Sequence, residues 1–255
     1  MTTLQGKIAV VTGGSSGVGK ATVKALISEG VRVTAVARNA DRLRALEAEI
    51  GDGLTTLAGD ASDPELAARV VQELRPDLVV LAAGVTPRMG TLADLDWDAF
   101  SEVWNGDVKA SFHFIQQALT LPLRPGSTVV VVSSGAAIQG SPLSGGYAGA
   151  KHMLWLMAKY ANGVAEQEGL GIRFQVVAPL QMIAGTGVGD AGSGAYAKAM
   201  GIEREVFLAR FGVPMPPRQY GDHLVAILDD PQYTAGLAFG LKGDTGITVL
   251  EGEAA

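Results

Sequence analysis

Tyr147 and Lys151 lie four residues apart, a spacing that puts both side chains on one face of a helix. An ammonium beside a phenol favours the phenolate, so a tyrosine in that company can both give and take a proton at an oxygen atom. Ser134 stands thirteen residues earlier, just past the apolar run Thr128–Ser133, where its hydroxyl could hold that same oxygen. By themselves these residue types are common on surfaces, and a Tyr–Lys pair at this spacing reads equally as a solvated pair. They become chemistry only when something fixes a reactant beside them.

The segment Thr12-Gly13-Gly14-Ser15-Ser16-Gly17-Val18-Gly19 offers a way to fix one. It follows the first apolar run and opens a helix near Lys20. Glycines let the backbone turn sharply and approach a pyrophosphate, and the amides and positive dipole end of the helix bind the anion. A glycine trio alone is weak, but a strand before it and a helix after it are the context such a cradle requires. A dinucleotide is therefore expected against Gly13, Ser15, Ser16, Gly17, Val18 and Gly19. The second apolar run ends Val36-Ala37-Arg38-Asn39, with no carboxylate before Asp41 to bond the adenosine ribose hydroxyls. Arg38 offers a guanidinium fork to a 2′-phosphate instead, so NADP is expected over NAD, with Arg38 and Asn39 at its adenosine end. Arg38 as a plain solvated cation is the alternative.

Elements that could position these groups are visible in the pattern. Continuous apolar, β-branched runs occur at Lys7–Thr12, Val31–Ala37, Leu54–Ala58, Leu78–Leu81, Thr128–Ser133, Ile172–Ala178 and near Thr248. Such runs, rather than alternating ones, mark strands covered on both faces, as in parallel sheets. Between them, Trp97, Phe100, Trp104, Val108, Phe112, Ile115 and Leu119 step by three or four, predicting one long helix with a buried stripe. A second long helix runs through Met153, Met157, Tyr160, Ala161 and Val164, and Asp63-Pro64-Glu65 starts a shorter one. The alternation predicts a single doubly wound α/β domain of Rossmann type over residues 1–255, with about seven parallel strands flanked by helices. Residues 183–217, with Gly185-Thr186-Gly187-Val188-Gly189 and three prolines, break the rhythm after the sixth strand and are expected to form a mobile substrate lid.

Composition excludes other classes. The 34 glycines among 255 residues follow no triplet period and sit among apolar runs, which removes collagen and low complexity. The absence of cysteine removes disulfides and thiolate metal sites, and three scattered histidines leave little for an imidazole cluster, so no metal is expected. A net charge of −6 without a basic stretch argues against nucleic acid as a ligand. The start lacks a basic and apolar leader pattern, and no run nears the ~18 apolar residues of a membrane span. A cytoplasmic protein acting on a small molecule, without a membrane partner, is the expectation.

Taken together, these pieces resemble the short-chain dehydrogenase/reductase family over nearly the whole chain. The resemblance rests on the Thr12–Gly19 cradle, Asp60 after the third strand, Ala83-Gly84 after the fourth, Ser134, and Tyr147-Ala-Gly-Ala-Lys151. It implies hydride transfer between NADP(H) and a ketone or secondary alcohol. Tyr147 would be the proton donor, Ser134 would orient the carbonyl, and Lys151 would hold the nicotinamide ribose. It further implies that Asp60 and the adjoining Ala61 meet the adenine, that Ala83 and Gly84 offer backbone to the cofactor, and that Pro179 and Met182 flank the nicotinamide amide. A homotetramer or homodimer through the two long helices follows from the same resemblance.

Four departures from the family pattern matter. Ala82 replaces the asparagine of an Asn-Ala-Gly turn. Asp107 occupies the place of a catalytic asparagine, with Asn105 two residues earlier; ionised, Asp107 accepts from a water without donating, and protonated it donates. A bulge that lets Asn105 serve is the alternative. Pro179-Leu180 and Ala184 stand where Pro-Gly and a threonine are usual, so the nicotinamide amide loses a hydroxyl unless Thr186 substitutes, and the Asp-Gly-Gly ending is missing. These losses leave a rival reading, a catalytically quiet NADP-binding sensor or scaffold. The expected substrate walls are Ala136, Ile138, Gln139, Leu143, Leu180 and the lid. Arg88, Arg204 and Arg210 would serve only an anionic substrate.

Overall fold

A computed structural model describes residues 2–252 of the chain; Met1 and residues 253–255 of the expected domain lie outside it. The apolar runs form β1 (Ile8–Thr12), β2 (Arg32–Ala37), β3 (Leu54–Ala58), β4 (Leu78–Leu81), β5 (Thr128–Val132) and β6 (Arg173–Pro179). Two more strands follow, β7 (Gly236–Lys242) and β8 (Gly246–Gly252). They make one sheet in the order β3-β2-β1-β4-β5-β6-β7-β8. The expected count of about seven parallel strands is thus corrected to eight: the first seven are parallel, and β8 returns antiparallel on β7. The run near Thr248 is this returning strand, and β7 was hidden because Gly236 and Gly240 interrupt its apolar pattern.

The helices are α1 (Gly17–Ser28), α2 (Ala40–Ile50), α3 (Pro64–Leu74), α4 (Trp97–Val103), α5 (Lys109–Thr120), α6 (Ala136–Gln139), α7 (Tyr147–Gln167), α8 (Gly187–Met200), α9 (Arg204–Leu208) and α10 (Pro217–Asp229). Local chemistry starts several of them. Asp63 accepts from Glu65 N with Pro64 in the first turn of α3, as the sequence predicts, and Asn39 accepts from Arg42 N at 2.9 Å to cap α2. Alternate residues of each strand face opposite layers. Val10, Val79, Val129 and Val131 pack with Val70, Phe114 and Leu154 on the α3–α5–α7 side. Val11, Val80, Val130 and Val132 pack with Leu26, Leu43, Tyr220 and Leu224 on the α1–α2–α10 side. Covering both faces in this way is why the strands read as continuous apolar runs.

Chain direction across the sheet reverses at β1, which pairs with both β2 and β4. The carboxyl ends of β1 and β4 therefore open a crevice, the usual ligand position in such sheets. The long helix expected from Trp97 is not continuous: a π-helical turn, Trp104–Val108, separates α4 from α5. Its expected buried stripe is also partly wrong. Trp97 is 73% exposed and Phe112 46%, while Val103, Asp107, Ala110, Phe114 and Ala118 face inward. The residue that matters, Asp107, is buried by the turn that the pattern did not show. In the segment after β6, expected as a mobile lid, two helices form, α8 capped by the Thr186 hydroxyl, which accepts from Gly189 N at 3.1 Å, and α9.

Candidate active site

The glycine segment turns between β1 and α1 as its spacing demands. Gly13 has φ +68, and a side chain there would sit 2.6 Å from the Ala82 carbonyl oxygen. A Cβ on Gly19 would lie 2.3 Å from Gly13 O, so the start of α1 folds back against the loop only because no side chain intervenes. Ser16 makes no side-chain capping bond, which leaves the first amides of α1 without a side-chain partner there. A phosphate at this end fits the loop and the helix dipole together.

From this cradle a cavity of about 770 Å³ runs along the carboxyl ends of the strands to Ser134, Tyr147, Lys151 and Asp107. Tyr147 and Lys151 share the first turns of α7, with Lys151 Nζ 5.7 Å from the centre of the Tyr147 ring. Ser133 Oγ donates to Lys151 O at 2.8 Å, fastening α7 to the end of β5. Ser134 Oγ accepts from Ala136 N at 3.2 Å and keeps its own hydrogen to donate.

Lys151 is only 8% exposed, and its Nζ donates to Val132 O at 3.1 Å and pairs with Asp107 Oδ2 at 2.9 Å. Asp107 is 1% exposed, and its Oδ1 accepts from Val85 N at 2.8 Å. A Cβ on Gly84 would come 2.7 Å from Asp107 Oδ2, so the bare backbone of Gly84 makes room for the carboxylate. Burial by itself pushes the Lys151 ammonium toward neutrality; the Asp107 charge, helped by Tyr147 and the direct bond to Asp107, outweighs it and holds Lys151 above the ordinary lysine range. Asn105, the alternative to Asp107, is exposed in spite of the bulge and takes no part.

Among the other expected site residues, Gly13, Ser16, Gly17, Val18, Gly19, Gly84, Pro179 and Met182 line the cavity. Ser15, Arg38, Asn39, Asp60, Ala61 and Ala83 do not form its wall. Physical reasons are local. The Asn39 side chain is spent on its cap, and Ala61 is packed in the core. Ala83 N donates to Thr12 Oγ1 at 3.1 Å. Asp60 accepts from Ser62 N and Oγ, both at 2.9 Å, and the backbone bond leads in holding its carboxyl below the usual range. Arg38 stands exposed at the end of β2. Thr186 cannot replace the missing hydroxyl, because its hydrogen goes to Ile183 O at 2.7 Å. Arg42, Thr86 and Met89 line the cavity without having been expected there. Only Arg42 had a visible signal, its place in the first turn of the helix after β2.

The described residues hold no group of three or more His, Cys, Asp or Glu placed to bind a metal, and no helix among them is long and apolar enough to cross a membrane. Residues 7–188, from β1 through the cradle and the Tyr147 helix to the start of α8, match the family described as short chain dehydrogenase. The chain belongs to that family. It is 37% identical over 181 residues to a short chain dehydrogenase of Pseudocercospora fijiensis, covering 66% of this chain and 57% of that one. It is 32% identical over 187 residues to an uncharacterized oxidoreductase of Escherichia coli, covering 69% and 62%. A cis-2,3-dihydrobiphenyl-2,3-diol dehydrogenase of Paraburkholderia xenovorans is 31% identical over 163 residues, covering 59% and 58%. The matches span about three fifths of the length of these relatives.

Proposed function

We propose that the protein is an NADP-dependent oxidoreductase acting on a ketone or secondary alcohol, with Tyr147 as general acid and base. One observation carries this reading: the buried Lys151–Asp107 pair stands beside Tyr147 in a cavity whose other end is the glycine cradle. When bound there, the nicotinamide supplies or accepts the hydride.

The chain's own groups handle the oxygen. Tyr147 gives its proton to the carbonyl oxygen as negative charge builds on it, and takes it back in the oxidation. Ser134 donates to the same oxygen and fixes its position. Lys151 stays charged because Asp107 holds it, and would bond the nicotinamide ribose. Asp107 meets the ammonium directly, and its negative charge offsets part of the ammonium field at Tyr147.

Arg42 on the cavity wall and exposed Arg38 both favour a 2′-phosphate, and the first carboxylate after β2, Asp41, pairs with Arg44. The exposed rings of Trp97, Phe112 and Tyr160, the last 62% exposed on α7, support pairing of copies into a homodimer or homotetramer through the long helices. A cytoplasmic setting suits a cysteine-free chain. Purified protein mixed with NADPH and a panel of ketones tests the reading through loss of NADPH absorbance. Consumption is expected, with Tyr147→Phe slower by about a hundredfold or more and NADPH binding retained. No consumption across the panel would leave the sensor or scaffold reading.

A further inference from the structure

Part of the cavity, its substrate chamber, is walled by residues that the proposed chemistry does not use. Gly192, Tyr196 and Met200, each four residues from the next, present one face of α8 to it. Phe207 of α9 and Phe211 of the turn that follows complete that side, with Met89 and Pro142 among the other lining residues. The Tyr196 and Phe207 rings stack with centroids 5.8 Å apart and planes 5° from parallel, and Phe211 meets Phe207 edge-on at 5.3 Å. Tyr196 Oη shares a hydrogen bond of 2.9 Å with Ser141 Oγ and accepts from Leu143 N at 3.3 Å. The lid helix is thereby tied across the cavity to the loop after α6, with the Tyr196 ring held in place.

Charge is missing from this chamber. Of the residues lining the whole cavity, the charged ones are Arg42, Asp107 and Lys151; Arg42 belongs to the helix after β2, and the other two are paired with each other. Two lid charges are spent on each other: Arg204 Nε donates to Ser193 Oγ at 2.7 Å, and its guanidinium pairs with Asp190, while Lys198, Glu203 and Glu205 are not part of the wall. Arg210 leans on Met200 Sδ at 3.3 Å and is not part of the wall. A carboxylate or phosphate entering here would give up water without meeting a counter-charge, whereas a flat apolar ring would meet stacked rings and thioethers.

We propose that the chamber selects a neutral, ring-bearing carbonyl compound or its alcohol, with Tyr196 and Phe207 as the specificity-determining residues. Selection of a carbonyl rests on the oxidoreductase reading; the selection for ring and neutrality rests on the walls alone. The test is calorimetric titration of the protein with NADP⁺ present, a state that cannot reduce a ketone. The probes are methyl 4-acetylbenzoate and its free carboxylate, 4-acetylbenzoate.

The ester is expected to bind roughly tenfold or more tighter than the carboxylate. Phe207→Leu keeps apolar bulk and loses the stack, and Tyr196→Phe keeps the ring and loses its bonds to Ser141 and Leu143. Each is expected to weaken ester binding roughly threefold or more while leaving NADP⁺ binding unchanged. Equal or tighter binding of the carboxylate, absence of ester binding, or ester affinity indifferent to both variants would each overturn the proposal. Ester binding as expected, together with no NADPH consumption across the ketone panel, would overturn the NADP-dependent catalytic reading and leave the chamber's selectivity standing.

Discussion

At the scale of single residues, the carboxylate of Asp107 decides how this site differs from one built on a neutral amide. Burial is the largest influence on Lys151 and opposes its charge; Asp107 leads the influences that restore it. The ammonium is therefore raised in the folded protein, and its stabilising contribution is complete below the ordinary lysine range and lost only as pH climbs through the raised value. Asp107→Asn removes the charge and turns one amide donor toward another, since one side-chain atom must still accept from Val85 N. The alkaline limb of the kcat/KM profile should then move to lower pH, and the rate should fall about tenfold at the wild-type optimum. A superimposable profile and rate would remove Asp107 from the mechanism. Loss of one partner of a buried pair also costs about 3–5 kcal/mol at most, so the profile is to be read together with the melting temperature.

At the scale of elements, the same substitution has opposite signs at two helical glycines. Gly19→Ala drives a methyl into the Gly13 carbonyl and should cost about 1–3 kcal/mol along with nucleotide binding. Gly163→Ala, at an exposed position of α7, meets nothing within 4 Å and should stabilise by roughly 0.5–1 kcal/mol. Thermal melts with and without NADPH check both. Much of this architecture was legible because strands covered on both faces announce themselves: six strands, the cradle and the start of α3 lie where their residue types put them. The seventh strand was not, since Gly236 and Gly240 dilute its apolar run. Nor was the π turn, because Trp104, Val108 and Phe112 keep a helical spacing while the backbone shifts by one residue beneath them. At the site, Ser134, Tyr147, Lys151 and Asp107 do converge on one cavity, but Ser15, Arg38, Asn39, Asp60, Ala61 and Ala83 do not line it. Asn39 is spent on a helix cap and Asp60 on a turn with Ser62, partners that spacing does not encode.

At the scale of the whole molecule, the last strand is held by ions as well as by its pairing with β7. Trp155 Nε1 donates to Glu251 Oε2 at 2.7 Å, and Lys159 pairs with the same carboxylate. Lys159 first and Trp155 second hold the Glu251 carboxyl below its usual range, against a smaller effect of burial. A lowered value means the tie is complete above the ordinary glutamate range and lost as pH falls through the folded value. Protection of the amides of Val249–Glu251, measured as exchange relative to the intrinsic rate at each pH, should therefore fall on acidification, and Glu251→Gln should flatten that dependence; equal pH dependence of protection in both proteins would refute the tie. The Lys151 ammonium on α7 is met by Val132 O at the end of β5 and by Asp107 in the turn before α5, and Asp107 is itself held by Val85 N, past the end of β4. A charged amine cannot settle into that spot before its counter-charge has arrived, and the counter-charge is seated only when Val85 and Gly84 are in place. A chain in which these pieces have not come together is therefore expected to leave the amine open to amine-directed reagents, so that its shielding reports their assembly.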